Sequence, residues 1–184
     1  GRGVAFSKLS QGDSAGAEFD DLVDAVDALV AAGIADPDRV GITGGSYGGY
    51  ATAWCATRYS ERFKAGVMFV GISNEISKGL TTEIPVEDRD VHTLADPWTK
   101  WDFRLERSPI FHAGKCRTPL LILHGEEDKR VHPKQSQQLV EALRRADKTF
   151  EYVVYGGEGH GFVQTATLQH FYATLERFLD WYLL

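Results

Sequence analysis

One serine in this chain stands where acyl-transfer chemistry would place it. Ser46 lies in Gly44-Gly45-Ser46-Tyr47-Gly48, between an apolar stretch over residues 40–43 and a run of small residues. Gly-x-Ser-x-Gly between a strand and a helix is the pattern of a nucleophile turn. Its spacing has a steric cause. A chain that passes from strand to helix in about one residue strains the serine backbone, and side chains two residues away on either side would collide. So sharp a turn lifts the hydroxyl beyond the carboxyl end of the sheet. It also aims the amide of Tyr47, at the start of the helix, at an oxyanion on the attacked carbonyl. The string alone is weak in a chain with 19 glycines, where it could be a turn with an incidental serine. The strand before it and the helix after it supply the context.

A serine hydroxyl is a poor nucleophile at neutral pH. It needs a base in reach, and the base needs an orienting acid. Function in open parallel sheets gathers beyond the carboxyl ends of the strands. The search therefore narrows to His124-Gly125-Glu126-Glu127-Asp128-Lys129-Arg130-Val131, after the third strand, and Gly156-Gly157-Glu158-Gly159-His160-Gly161-Phe162, after the fourth. His160 is the candidate base, because its flanking glycines let the backbone bend the ring back over the serine. Asp128, at the loop end, is the candidate acid, with Glu126 and Glu127 open as alternatives. The order serine, acid, histidine is that of the α/β-hydrolases. His92, His112 and His170 occupy positions that suit packing or surface. His124 directly follows an apolar strand and is expected to support the loop through hydrogen bonds. His124, Asp128 and His132 recur every four residues, as metal ligands on a helix would. Gly125 and Pro133 frame that segment as a turn, however, and Lys129 and Arg130 put positive charge where a cation would sit, so no metal is expected.

Alternating elements must position these groups. The spacing predicts helices over 17–32, 47–58, 133–145 and 166–183, and strands over 40–43, 65–70, 119–123 and 150–155, the second as a near-continuous apolar run and the third also buried. In the first helix Phe19, Leu22, Val23, Val26, Leu29 and Val30 form the apolar face, opposite Asp20, Asp24 and Asp27. Residues 1–15 read as loop. Residues 73–108 mix charges with Trp98, Trp101 and Phe103 and read as an excursion of loops and short helices. The result is an α/β fold: one parallel sheet with helices on both faces. The first strand would be buried on both faces in a full fold, yet nothing in the chain is expected to pair with its outer edge. Strands missing from the amino-terminal side are therefore expected.

The 184 residues suit one domain, and 43% hydrophobic against 25% charged residues can build a core. A net charge of −6 argues against nucleic acid or an anionic membrane as partner. No apolar run approaches the roughly 20 residues of a membrane span. Cys55 and Cys116 suit small buried apolar positions better than a disulfide, and they do not fix the compartment.

These motifs together resemble the carboxyl-terminal catalytic domain of the prolyl oligopeptidase family of serine peptidases. The residues that carry the resemblance are Gly44-Gly45-Ser46-Tyr47-Gly48-Gly49-Tyr50, Arg107-Ser108-Pro109-Ile110, Thr118 to Gly125, Asp128-Lys129-Arg130-Val131, Glu158-Gly159-His160-Gly161-Phe162, and the pair Arg2-Gly3. It covers essentially the whole chain. It implies residues 1–184 as the carboxyl-terminal part of an α/β-hydrolase domain, lacking its amino-terminal strands. It implies Ser46, Asp128 and His160 as the triad, the Tyr47 amide as oxyanion donor, no cofactor, and peptides as substrates. It also implies an upstream part of the same protein: further strands, a loop with a second oxyanion donor, commonly a tyrosine hydroxyl, and usually a β-propeller. A homo-oligomer is left open. Tyr50, Val70 and Ile76 are the candidate pocket residues. Many relatives place aromatic residues around residues 72–76; here Ser73, Glu75 and Ile76 are not aromatic, and no proline preference is carried over. Two other readings are a carboxylesterase with the same triad and an inactive structural piece.

Overall fold

The computed structural model describes residues 1–184. A single helical turn, Val4–Ser7, stands in the amino-terminal stretch expected to be loop. Then come α1 (Ala17–Ala31), β1 (Gly41–Gly45), α2 (Tyr47–Arg58) and β2 (Ala65–Phe69). The excursion follows, with α3 (Glu75–Thr81), a turn at Pro85–Glu87, a π-helical turn at Asp88–Thr93, α4 (Trp101–Glu106) and a 3₁₀ segment at Pro109–Lys115. The chain closes with β3 (Leu120–Gly125), α5 (Lys134–Arg145), β4 (Phe150–Tyr155) and α6 (Thr165–Leu183).

The four strands are parallel and lie in the order β1-β2-β3-β4. Gly45 pairs with Phe69, Phe69 with Leu123, and Gly125 with Tyr155, so the strands end along one rim. Alternate residues serve opposite faces. Met68, Leu120 and Ile122 pack with Ala53 and Ala56 of α2 and Leu139, Val140 and Leu143 of α5. Val67, Leu121 and Leu123 pack under α6, against Phe171, Leu175 and Phe178. β3 is buried along its whole length, which is why residues 120–123 read as an unbroken apolar run. Each fully buried Leu or Ile contributes about 1.5–3 kcal/mol, so the centre of the sheet is its firmest part.

The outer edge of β1 is open, as expected, and the first helix differs from its expected burial. β1 pairs only with β2, and its residues alternate between exposed and half-buried. In α1 only Phe19 is buried, while Leu22 and Leu29 are exposed. Phe19 reaches the rings of Tyr47 and Tyr50, at 5.4 and 5.2 Å between centroids. Val23, Val26 and Val30 of the same stripe are half-buried.

Candidate active site

The rim of the sheet assembles the site from three loops. β1 runs through its glycines directly into Ser46, whose backbone is strained at φ 57°, ψ −117°. The Ser46 N–H donates to the carbonyl of Phe69 at 3.0 Å, which fixes the turn to the end of β2. A Cβ on Gly44 would run into the backbone of Gly48, as the spacing implies. At Gly48 itself an added Cβ would meet open space. The second steric requirement falls one residue later. A Cβ on Gly49 would lie 2.7 Å from the Gly71 Cα and the Phe69 carbonyl oxygen, because α2 passes hard against the segment leaving β2. Tyr47 opens α2, where a backbone N–H has no intrahelical acceptor.

His160 sits on the loop after β4, its side chain 22% exposed. Its Nε2 lies 2.8 Å from Ser46 Oγ, and its Nδ1 lies 2.8 Å from Asp128 Oδ2. Because a carboxylate only accepts, Nδ1 carries the proton and Nε2 is free to accept the serine's. Asp128 is buried on the loop after β3. Its Oδ1 accepts the amides of Arg130 and Val131, at 2.9 and 3.0 Å. Burial alone would push this carboxyl up. Hydrogen bonds from His124 and His160, and the Val131 amide, outweigh burial and hold it well below the usual carboxylate range. Glu126 and Glu127, equally acidic in sequence, are exposed. A serine, an imidazole and an ionised carboxylate in this order can transfer an acyl group.

The profile of the prolyl oligopeptidase family matches residues 1–184. The chain belongs to that family. It is 39% identical to dipeptidyl aminopeptidase BIII of Pseudoxanthomonas mexicana, over 97% of this chain and 27% of that protein. Among solved structures, a puromycin-hydrolyzing peptidase of Mycobacterium tuberculosis superposes with a TM-score of 0.88 at 30% identity, covering 96% of this chain and 27% of that one. An acylaminoacyl peptidase of Pyrococcus horikoshii gives 0.88 at 28% identity, covering 97% and 29%. The fold is that of the family's α/β-hydrolase domains, and the chain spans about a quarter of the length of these relatives.

Two of the three candidate pocket residues, Tyr50 and Val70, are enclosed. Tyr50 is fully buried in α2, its hydroxyl donating to the carbonyl of Arg107. Val70 is 1% exposed, with φ at 41° and its N–H on the Leu123 carbonyl at 2.8 Å. Ile76 is half-buried in the first turn of α3. The close approach of α2 to the β2 exit encloses the first two. His132, the third residue of the weighed metal set, accepts the Lys134 amide at Nδ1, 3.2 Å away.

His124 does more than support a loop. It belongs to β3 rather than following it, and it is fully buried. Its Nδ1 faces Ser136 Oγ at 2.7 Å, and its Nε2 faces the Val131 carbonyl at 2.8 Å and Asp128 Oδ2 at 3.2 Å. The imidazole therefore joins β3, the acid loop and α5. A histidine ending an apolar strand four residues before the acid was the available signal. Gly125 was legible only as a turn residue. Yet Glu127 N–H donates to the Glu158 carbonyl at 2.9 Å, and a Cβ on Gly125 would run into the carbonyl of Gly159 and lie 2.5 Å from that of Glu158. The acid and histidine loops touch there through bare backbone. Gly125→Ala is expected to spread them and lower kcat/KM by about 10²-fold, the cost of misplacing a catalytic group by about 1 Å. Steady-state kinetics beside a thermal melt would check this: a folded variant with full activity would mean that the loops do not depend on that contact.

Proposed function

We propose that the protein is a serine peptidase that cleaves oligopeptides through an acyl-enzyme. Ser46 Oγ attacks the scissile carbonyl as His160 Nε2 takes its proton. Asp128 holds the imidazole in the required tautomer and stabilises the imidazolium. The Tyr47 amide donates to the oxyanion. His160 then returns the proton to the leaving amine as the carbon–nitrogen bond breaks. Water attacks the resulting ester by the same route, releasing the acid and restoring Ser46. No cofactor enters. The observation that carries this reading is the unbroken hydrogen-bond chain from Ser46 Oγ through His160 to Asp128, 2.8 Å at each step. Relatives described as a dipeptidyl aminopeptidase and an acylaminoacyl peptidase support peptide amides as the substrate class.

Residues 1–184 are, in this reading, the carboxyl-terminal part of an α/β-hydrolase domain. Upstream strands of the same protein continue the sheet from the open edge of β1, and an upstream loop brings the second oxyanion donor. The full-length protein is expected to react with a fluorophosphonate probe at Ser46 and to turn over peptide amides as well as matched esters. Turnover of esters alone would make it a carboxylesterase. Absence of labelling at Ser46 would remove the acyl-enzyme.

A further inference from the structure

Glu75 is a buried acid that nothing in this mechanism uses. The residue is 2% exposed, and its Oε2 is buried without a hydrogen-bond partner. Its backbone, in contrast, is pinned: the N–H donates to Ser108 Oγ and the carbonyl accepts from Arg104 Nη1, both at 2.9 Å. Asn74 caps the same turn, its side chain accepting the amides of Ile76 and Ser77. The fold of α3 thus carries the carboxyl inside without supplying a donor for it.

Its charged surroundings are committed elsewhere. On α3 itself, Lys78 Nζ binds Asp88 Oδ1 at 2.5 Å. From the π-helical turn, Asp88 turns a second oxygen inward that also lacks a partner, 3.8 Å from Arg104 Nη1. From α4, the fully buried Arg104 spends its guanidinium on the carbonyls of Thr99, Glu75 and Ala95 and on Thr93 Oγ1. From α2, Tyr47 and Tyr50 lie within reach of the Glu75 charge. An ionised carboxylate without a donor is expensive in such a place. Burial accordingly pushes the Glu75 carboxyl up to about 7, with Lys78 and Arg104 opposing and Asp88 adding to the shift.

The segment that holds Glu75 touches both halves of the site. The Arg107 carbonyl accepts from Tyr50 of the nucleophile helix. His92 stacks on Tyr47, the residue after Ser46, with centroids 4.9 Å apart and planes 21° from parallel. On the other side, the Glu83 N–H donates to the Lys129 carbonyl at 3.0 Å and Thr82 Oγ1 to that of Arg130 at 2.8 Å. Both acceptors lie in the loop of Asp128.

We propose that Glu75 is a proton-linked positioning residue: protonated, it lets residues 74–108 seat against the nucleophile helix and the acid loop, and loss of the proton loosens that seat. Ionisation can be met only by admitting water or by drawing Lys78 from Asp88, and either displaces α3 from the π-helical turn. The sign follows from linkage. The folded state holds this proton more tightly than the open one, so the closed segment loses stability as pH rises from the ordinary carboxylate range to about 7, and then levels off.

Backbone hydrogen exchange on the full-length protein tests this, with rates corrected for their intrinsic pH dependence. Between about pH 6 and about pH 8, protection of amides in α3 and in Asp88–Thr93 is expected to fall about tenfold in the wild type and to stay constant in Glu75→Gln, with β3 unchanged in both. The effect on catalysis rests on the peptidase reading: KM for a peptide amide should rise over the same interval in the wild type and not in the variant. The same pH response in both proteins, or a flat wild-type profile, would overturn the proposal. A flat wild-type profile overturns it even if the variant does not fold. Fluorophosphonate labelling of Ser46 at both pH values separates failure of the latch from failure of the serine chemistry.

Discussion

Ser46→Ala is expected to lower kcat for peptide-amide hydrolysis by about 10⁵–10⁶ while KM stays within about threefold, as in triad enzymes that lose their nucleophile. The hydroxyl supplies the bond-forming electron pair, and no other side chain replaces it. His124, the nearest alternative partner for Asp128, is buried in β3 with both ring nitrogens engaged. Folding should survive, because the turn is held by the Ser46 backbone bond to Phe69, which alanine keeps. Some catalysis over water should remain from substrate positioning and the oxyanion amide. Adding a His160 substitution should cost little more, since the pair acts as a unit. Steady-state kinetics with a melting curve would decide the matter. A stable variant retaining a tenth of the activity would place the nucleophile elsewhere.

Asp128→Asn carries the next largest effect, a fall in kcat of about 10⁴. The isostere fits the same space but turns an N–H₂ toward imidazole nitrogens that now donate to the carboxylate. Relieving that clash sends the His160 proton to Nε2, and the base can no longer accept from Ser46. The substitution also has a signature in stability. Asp128 is held below the usual carboxylate range when folded, so its contribution is fully present above its unfolded pKa of about 3.9 and is lost as pH falls through the lower folded value. The wild type should therefore lose stability in acid more steeply than Asp128→Asn. Thermal midpoints across that interval read the difference, and parallel curves would mean that the buried hydrogen bonds do not favour the ionised form.

Much of the architecture was legible because it is written in local periodicity. The strands expected over 65–70, 119–123 and 150–155 became β2, β3 and β4 within about two residues, and four helices appeared where a 3.6-residue spacing placed them. The nucleophile turn was legible in part for the same reason, since Gly44 acts on Gly48, four residues away. The excursion was harder. Its short helices are held by contacts such as Lys78 with Asp88 and Arg104 with Thr93, which no periodicity announces. α1 shows the opposite failure: its stripe predicts an apolar face but not what covers it, and here only Phe19 is enclosed.

The order of residues by itself determined where the four strands fall along the chain, the sharp turn at Ser46, and the two loops on which a base and an acid had to lie. Those features depend on interactions within about a dozen residues and leave their mark on the local pattern. Only the folded chain decided that Asp128 turns inward while Glu126 and Glu127 face water, that His124 joins the network, that Tyr50 and Val70 are enclosed, and that Glu75 is buried without a donor. Each depends on groups brought together from distant parts of the chain. Steric fit between separate backbones, and the balance of desolvation against hydrogen bonding, exist only once those groups meet.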